Sequence, residues 1–299
     1  METTSQTALL GLLAETSIHA GAGQSGGVID LPIQREAHTA WPVIFGSAVK
    51  GALRALAEER IETTAPWLTS VFGPDTHNAS DHAGALLVGD ARLLLLPVRS
   101  LTSHFKWVTC PALLKRFAAD AARLGLPCFA VDAIPKVEGR DLALLPEPGP
   151  EALYLEEFRL RTESADFGTI LPILAGLMAR PDARDALGKQ LALVDDDRFN
   201  HLAQFATPVN AHVCIDNQRK TVKPGALWYE ETLPPDTLLT VALHAQGTRQ
   251  QGQKRSAAEV LAHVTRDLLG ERPYLQLGGN ETVGMGWCKV SMQAAGVEG

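Results

Sequence analysis

Two blocks at opposite ends of the chain, each reading strand, helix, strand, constrain the fold more than any other feature. An apolar run of strand length, Ala8 to Ala14, is followed by helical periodicity from Gly46, with Val49, Ala52, Leu53 and Leu56 on one stripe, and by strand material from Gly84 to Pro97. Near the other end Thr237 to Ala245 alternates as a strand and Ser256 to Leu269 reads as an amphipathic helix. Strand fragments then flank a glycine-rich bend between Pro273 and Val290. This is the β-α-β-β-α-β order of a ferredoxin-like or RRM-like sheet, so the predicted class is α+β. Residues 98–235 separate the halves and are too many for a loop, so they must carry elements of their own. One elaborated domain over 1–299 is expected, with core segments near 8–60, 84–97 and 236–292.

Within the long insertion, Pro111 to Leu124 and Ala183 to Leu193 read as helices, the first opened by its proline. Val131 to Pro150 has no clear period and reads as irregular surface. A mainly helical region over about 98–206 is therefore expected. It is followed at about 207–235 by a β-hairpin, in which VNAHVCID and TVKPGALWYE flank the polar turn NQRK. Upstream, the glycines of HAGAGQSGG (His19 to Gly27) predict a long mobile loop over 19–40.

Charge and composition exclude several classes of function. With 27 Lys plus Arg against 34 Asp plus Glu the net charge is −7, which argues against a generally polybasic nucleic-acid binder but leaves room for a local basic groove. No apolar run approaches the roughly 20 residues of a membrane span, so a soluble protein without a membrane partner is expected. The first residues lack the positive region of a signal peptide. The four cysteines form no C-x-x-C pair, which fits reduced thiols in a cytoplasm and gives no zinc knuckle. His77, Asp81 and His82 (HNASDH) read as a polar surface loop rather than a metal site.

Two constellations suggest chemistry. Lys50 and Arg54, at i and i+4, share a helix face next to Ser47, a candidate N-cap; a helix N-terminus with two cations one turn apart is a phosphate-binding device. A lone K-x-x-x-R is more often an ordinary solvated face. The glycines Gly278, Gly279, Gly284 and Gly286 permit close backbone approach to a ligand, with a tight turn as the plainer alternative.

Four segments together resemble a known family: HAGAG from His19 with DLPIQRE at Asp30 to Glu36; PVIFGSAVKGALR from Pro42 to Arg54; GALLVGDARLLLLPVRS, continuing to Pro111; and QLGGNETVGMG from Gln276 to Gly286. They resemble the RAMP superfamily of CRISPR-associated proteins, and within it the repeated backbone subunit of the type III-B Cmr effector complex. The resemblance implies a RAMP palm for the ferredoxin-like core and a thumb for the hairpin, pushed between bases of a guide–target duplex. It implies that Asp30 is the residue on which target-RNA cleavage depends, with a divalent metal ion (Mg2+ or Mn2+) bound mainly when target RNA is present. His19 becomes a candidate for phosphate contact or proton transfer, against the alternative of a strand-end histidine with a satisfied hydrogen bond. Arg35 could stabilise phosphate charge, or pair with Glu36 or with a neighbouring subunit.

By the same resemblance, Ser47, Lys50 and Arg54 would lie against the guide backbone and Gly278, Gly279 and Gly284 beside RNA. The implied partners are a CRISPR RNA guide, complementary target RNA, further copies of the chain and other Cmr subunits. The implied activity is a metal-dependent endoribonuclease working within the assembled complex through attack of a 2′-OH. A non-catalytic RNA-binding scaffold is the alternative; a stand-alone guide-processing nuclease fits less well, because such enzymes rest on histidine-centred sites. Related sequences often carry an arginine where this chain has Ala211 and His212, and an aromatic where it has Thr232.

Overall fold

The computed structural model describes residues 5–61, 65–74, 82–250, 252 and 254–294. In chain order the first elements are β1 (Ser5–Ala14), β2 (Val43–Ile44), α1 (Gly46–Arg60), α2 (Pro66–Phe72), β3 (Leu86–Val88) and β4 (Ala91–Arg99). The middle of the chain forms β5 (Phe105–Thr109), α3 (Pro111–Arg123), β6 (Leu142–Leu145), β7 (Ala152–Leu155), β8 (Phe158–Ser164), α4 (Ile170–Leu177), α5 (Pro181–Gln190), β9 (Leu191–Val194) and α6 (Asp196–Phe205). The hairpin β10 (Val209–Asp216) and β11 (Thr221–Glu231) follows. The chain then closes with β12 (Leu238–Gln246), α7 (Ala257–Ala262, running on as a π-helical turn His263–Leu268), β13 (Tyr274–Gln276) and β14 (Trp287–Ala294).

The palm is the four-strand array β14-β1-β12-β4, antiparallel throughout. Numbered by their place in the β-α-β-β-α-β unit these strands stand in the order 4-1-3-2, the ferredoxin-like arrangement, with α1 and α7 as the two crossovers. β1 shows why its run is continuously apolar. Ala8, Leu10, Leu12 and Ala14 enter the core shared with Val49 and Leu53 of α1 and Val260 of α7, whereas Leu9 and Leu13 enter a second core on the opposite face. That second face is covered by α3, α4 and α5, through Leu114, Phe117, Leu174 and Leu187. The insertion therefore closes the face a bare ferredoxin-like sheet would leave in water.

β4 joins the two halves. Leu93 pairs with Leu239 and Leu95 with Leu238, so Leu94 is an extra residue on β4, a bulge. Before it Ala91 and Leu93 face the first core; after it Leu96 and Val98 do. Beyond the bulge β4 pairs with β5, and the sheet continues through β9, β6, β8 and β7.

The insertion is thus not only helical. β6 lies within the stretch expected to be irregular surface, and all four of its residues are buried against β9 and β8. Four residues, LALL, are too few to show a period among the surrounding prolines and charges. The helix expected over 183–193 stops at Gln190, because Leu191 adopts an extended backbone and starts β9. Among the described residues no helix is long and apolar enough to cross a membrane.

Gly11 sits where β1 meets the end of α4: a Cβ there would lie 2.3 Å from the Leu177 carbonyl oxygen and 2.5 Å from Ser291 Oγ, which itself donates to that carbonyl at 2.7 Å. Gly11→Ala should therefore destabilise by about 1–3 kcal/mol through overpacking, read as a lower urea midpoint. An unchanged midpoint would show that α4 is free to shift.

Candidate nucleic-acid interface

The loop expected to be mobile over 19–40 is laced down along most of its length. Gly21 bridges Ile33, Leu31 bridges Glu230, and Arg35 bridges Pro42, which leaves residues 21–28 as the exposed turn. Side chains of the DLPIQRE segment account for this. Gln34 Oε1 accepts from the Phe45 N–H at 2.8 Å while its Nε2 donates to the Gly21 carbonyl at 3.1 Å. Glu36 accepts from Arg116, on α3, and from Thr39 at 2.6 Å. Burial alone would raise the Glu36 carboxyl pKa; the hydrogen bonds from Arg116 and Thr39, with the nearby positive charges, outweigh it and hold that pKa below its ordinary value.

Arg35, considered as a phosphate contact, is committed to the protein instead. It donates to the carbonyls of Ala40 (2.6 Å) and Ala203 (2.8 Å), to Thr207 Oγ1 (3.3 Å) and to Glu231 Oε1 (2.5 Å). Glu231 is 2% exposed and also accepts from Thr207 Oγ1 at 2.6 Å and from the Ile33 N–H at 3.1 Å. A buried carboxylate needs such company, and only the adjacent arginine neutralises it. Glu230, equally buried, accepts from Asn280 Nδ2 at 2.6 Å, which ties the base of β11 to the glycine-rich bend.

Asp30, like Glu36, stays partly exposed, but among the described residues it forms no ion pair. Its Oδ2 accepts from the Tyr229 N–H on β11 at 2.7 Å, and among the described residues Oδ1 has no hydrogen-bond partner. His19 is 9% exposed, with Nδ1 2.8 Å from the Glu231 carbonyl oxygen. A carbonyl only accepts, so Nδ1 carries the proton, and in the neutral ring Nε2 keeps its lone pair toward Gly21. The histidine expected as a strand-end residue with a satisfied hydrogen bond, or as a phosphate contact, is thus anchored through one nitrogen and available at the other.

The glycines divide by cause. Gly278 has φ +87°, and a Cβ there would lie 2.3 Å from the His19 carbonyl oxygen, so close packing requires it. Gly279 donates its N–H to that same oxygen at 2.8 Å. Gly284, with φ +84°, faces open space.

At α1 the expected cap is displaced by two residues. Phe45 occupies the N-cap position, held by Gln34, and the helix starts at Gly46, whose N–H donates to Asp90 Oδ1 at 2.7 Å; Ser47 is the second helical residue and exposed. The end of the helix is therefore not the set of free donors that the sequence suggested. Arg54 is engaged with Glu58 (2.8 Å) and with the carbonyls of Gly73 and Pro74. Lys50 has no hydrogen-bond or ion-pair partner among the described residues, and burial, with Arg54 nearby, lowers its pKa. Of the three it is the cation left to meet a phosphate.

The hairpin β10–β11 forms its own two-stranded sheet around the turn expected at 217–220, with a register shift between Val213 and Ile215. Val213, Ile215, Val222, Leu227 and Tyr229 on one face are 41% to 54% exposed, and His212 stacks on Trp228 on the other at 5.5 Å between centroids. Arg219, Lys220 and Lys223 sit at the tip. Of the HNASDH loop only His82 lies in the described residues, where its Nε2 is 3.1 Å from the Thr69 carbonyl; His77 and Asp81 lie outside them. The sequence alone assigns no role to Tyr229, Asn280, Asp90, Glu230 or Glu231. Two adjacent acids on a β-strand, one to each face, are the signal that could have marked the last two.

A ferredoxin-like palm with an insertion, an exposed hairpin and a glycine-rich loop closing over the first strand defines a class, and comparison identifies it. The RAMP superfamily model matches residues 12–289, and the chain belongs to that superfamily. Within it the chain falls in the Cmr4 family. It is 33% identical over 287 residues, 95% of each chain, to the CRISPR system Cmr endoribonuclease Cmr4 of Pyrococcus furiosus, and 24% identical to the CRISPR system CMR subunit Cmr4 of Saccharolobus solfataricus over 91% and 92% of the two chains. The crystal structure of oligomeric Cmr4 from Pyrococcus furiosus superposes with a TM-score of 0.71 at 30% identity, covering 98% of this chain and 99% of that one.

Two outcomes follow for stability. Arg35→Ala leaves Glu231 buried and unpaired and should cost about 3–5 kcal/mol by urea unfolding, with Arg35→Lys a poor substitute because one ammonium cannot reproduce the fork. Because the Glu36 pKa is lowered in the fold, its contribution is present above the unfolded-state value and lost as pH falls through the folded one; Arg116→Ala should flatten that acid loss.

Proposed function

We propose that the chain is an RNA-binding backbone subunit of a type III-B CRISPR effector complex, stacked in several copies along a guide RNA, and that each copy cuts the paired target RNA through Asp30. The observation that carries this reading is the position of Asp30, with no hydrogen-bond partner at Oδ1 among the described residues, where the DLPIQRE loop is fastened to the base of the exposed thumb. The naming of the Pyrococcus furiosus relative as an endoribonuclease supports the same reading. Partners are the guide, the complementary target, other copies of the chain and other Cmr subunits.

The chemistry is attack of a 2′-oxygen on the adjacent phosphorus. The bond to the 5′-oxygen breaks, leaving a 2′,3′-cyclic phosphate and a 5′-OH that takes up a proton. Asp30 would accept the 2′-OH proton through its free oxygen, and His19 Nε2 is the candidate for a second proton or phosphate contact. Lys50 holds a guide phosphate, and the thumb splays the step so that the attacking oxygen and leaving oxygen can come into line.

A divalent metal is part of the proposal. Among the described residues no three His, Cys, Asp or Glu side chains form a metal-holding group. One carboxylate with a free oxygen nevertheless fits Mg2+ or Mn2+, since Mg2+ characteristically keeps several waters and combines one or two carboxylates with phosphate oxygens. Bound through Asp30 and RNA, it would neutralise developing phosphorane charge. A scaffold that binds without cutting is the competing reading, favoured by the burial of His19.

Asp30→Ala, assembled with guide, should bind target normally yet cut at least about 100-fold more slowly; undiminished cutting would sink the catalytic role. Lys50→Ala should weaken RNA binding without changing sequence preference, and the log–log salt slope should shallow by about 0.7 for the lost single-strand phosphate contact. Because burial lowers the Lys50 pKa, the binding difference between wild type and Lys50→Ala should vanish at a lower pH than for an exposed lysine.

A further inference from the structure

The thumb is hydrogen-bonded to itself as a separate two-stranded sheet, so its link to the body runs through its base. Along the outer edge of β11, the Leu31 N–H donates to the Tyr229 carbonyl at 3.0 Å and the Glu231 N–H donates to the Leu31 carbonyl at 3.0 Å. The next donor on that edge, the Tyr229 N–H, meets a side chain in place of a third backbone carbonyl: Asp30 Oδ2, at 2.7 Å. On the other side of Asp30 the chain leaves for the exposed turn 21–28, joined through a backbone bond from the Ser25 N–H to the Asp30 carbonyl. The carboxylate itself is thus held by the thumb backbone, 199 positions away in sequence.

We propose that the Tyr229 main-chain N–H is the positioning group for the Asp30 carboxylate, so that the seating of the thumb on RNA sets where the carboxylate points. This rests on the reading of Asp30 as the cleavage carboxylate. A hydrogen bond to a charged acceptor is strong enough to fix one carboxylate rotamer and to leave the second oxygen facing outward. Because the donor belongs to the thumb, a hairpin displaced by a poorly paired duplex carries the carboxylate out of line and slows the chemistry without loosening the guide. The Tyr229 ring, half out in solvent, is not the acting group; its peptide nitrogen is.

Two arms test this. In the chain alone, hydrogen exchange followed by mass spectrometry on overlapping peptides that isolate position 229 should show, beside the Glu231 amide that the Leu31 carbonyl holds, a protected Tyr229 amide. Asp30→Ala should release it by roughly ten-fold or more, while Asp30→Asn, whose side-chain oxygen still accepts, should keep it. Exchange unaltered by Asp30→Ala would overturn the proposal. In the assembled complex, Tyr229 replaced by its α-hydroxy analogue, which has an ester oxygen where the N–H was, should bind target within about two-fold of wild type yet cut roughly ten-fold more slowly in single turnover. An ester variant that cuts at the wild-type rate overturns the positioning role and leaves the Asp30 reading intact; full cutting by Asp30→Ala overturns that reading instead. Should the ester variant fail to assemble, the exchange arm decides alone.

Discussion

Glu231 carries a charge into a place with almost no water, and Arg35 is the cation that makes this tolerable. Around that pair three segments far apart in sequence are fastened: the loop ending at Glu36, the chain leaving α6 through Ala203 and Thr207, and the base of the thumb. Glu230, one residue earlier and on the opposite face of β11, draws in the glycine-rich bend through Asn280. The bend then covers His19, whose carbonyl Gly279 binds and Gly278 approaches too closely for any side chain. The position of Asp30 follows from these attachments, since its neighbour Leu31 is bonded to β11 through both its N–H and its carbonyl.

Much of the fold could be read from periodicity. β1 is apolar without a break because it lies between two cores, and the hairpin declares itself by β-branched and aromatic strands about a polar turn. β6 and the true end of α5 could not be read, since four-residue apolar runs have no period that separates strand from helix. The site was legible as a set of segments but not as a set of roles. Arg35 looks like a phosphate ligand in sequence, because the acid that claims it is 196 residues away. Ser47 looks like an N-cap because nothing local shows that Gln34 holds Phe45 and that Asp90 accepts from Gly46. Four of the seven residues of DLPIQRE, from Ile33 to Glu36, shape the loop, which leaves the first to face solvent.

The charge balance takes on a spatial meaning. A net charge of −7 discourages indiscriminate RNA binding. Several arginines are already committed to acids, among them Arg99 with Glu156, Arg180 with Asp236 and Arg198 with Asp141. Lys50 and the thumb-tip side chains of Arg219, Lys220 and Lys223 make no such pair among the described residues. In the proposed assembly each copy therefore offers a narrow cationic stripe, and a row of copies makes it continuous. In that proposed assembly an acidic subunit of this kind would bind RNA weakly by itself and strongly in register with its neighbours.

The central claim is that a thumb-splayed step is cut through its own 2′-oxygen beside Asp30, once per copy. Its most direct measurement is the chemistry and spacing of the product ends after the assembled complex meets complementary RNA and Mg2+ or Mn2+. The account predicts cuts at regular intervals, each leaving a 2′,3′-cyclic phosphate and a 5′-OH. Ends bearing a 5′-phosphate and a 3′-OH, or cuts without regular spacing, would contradict it.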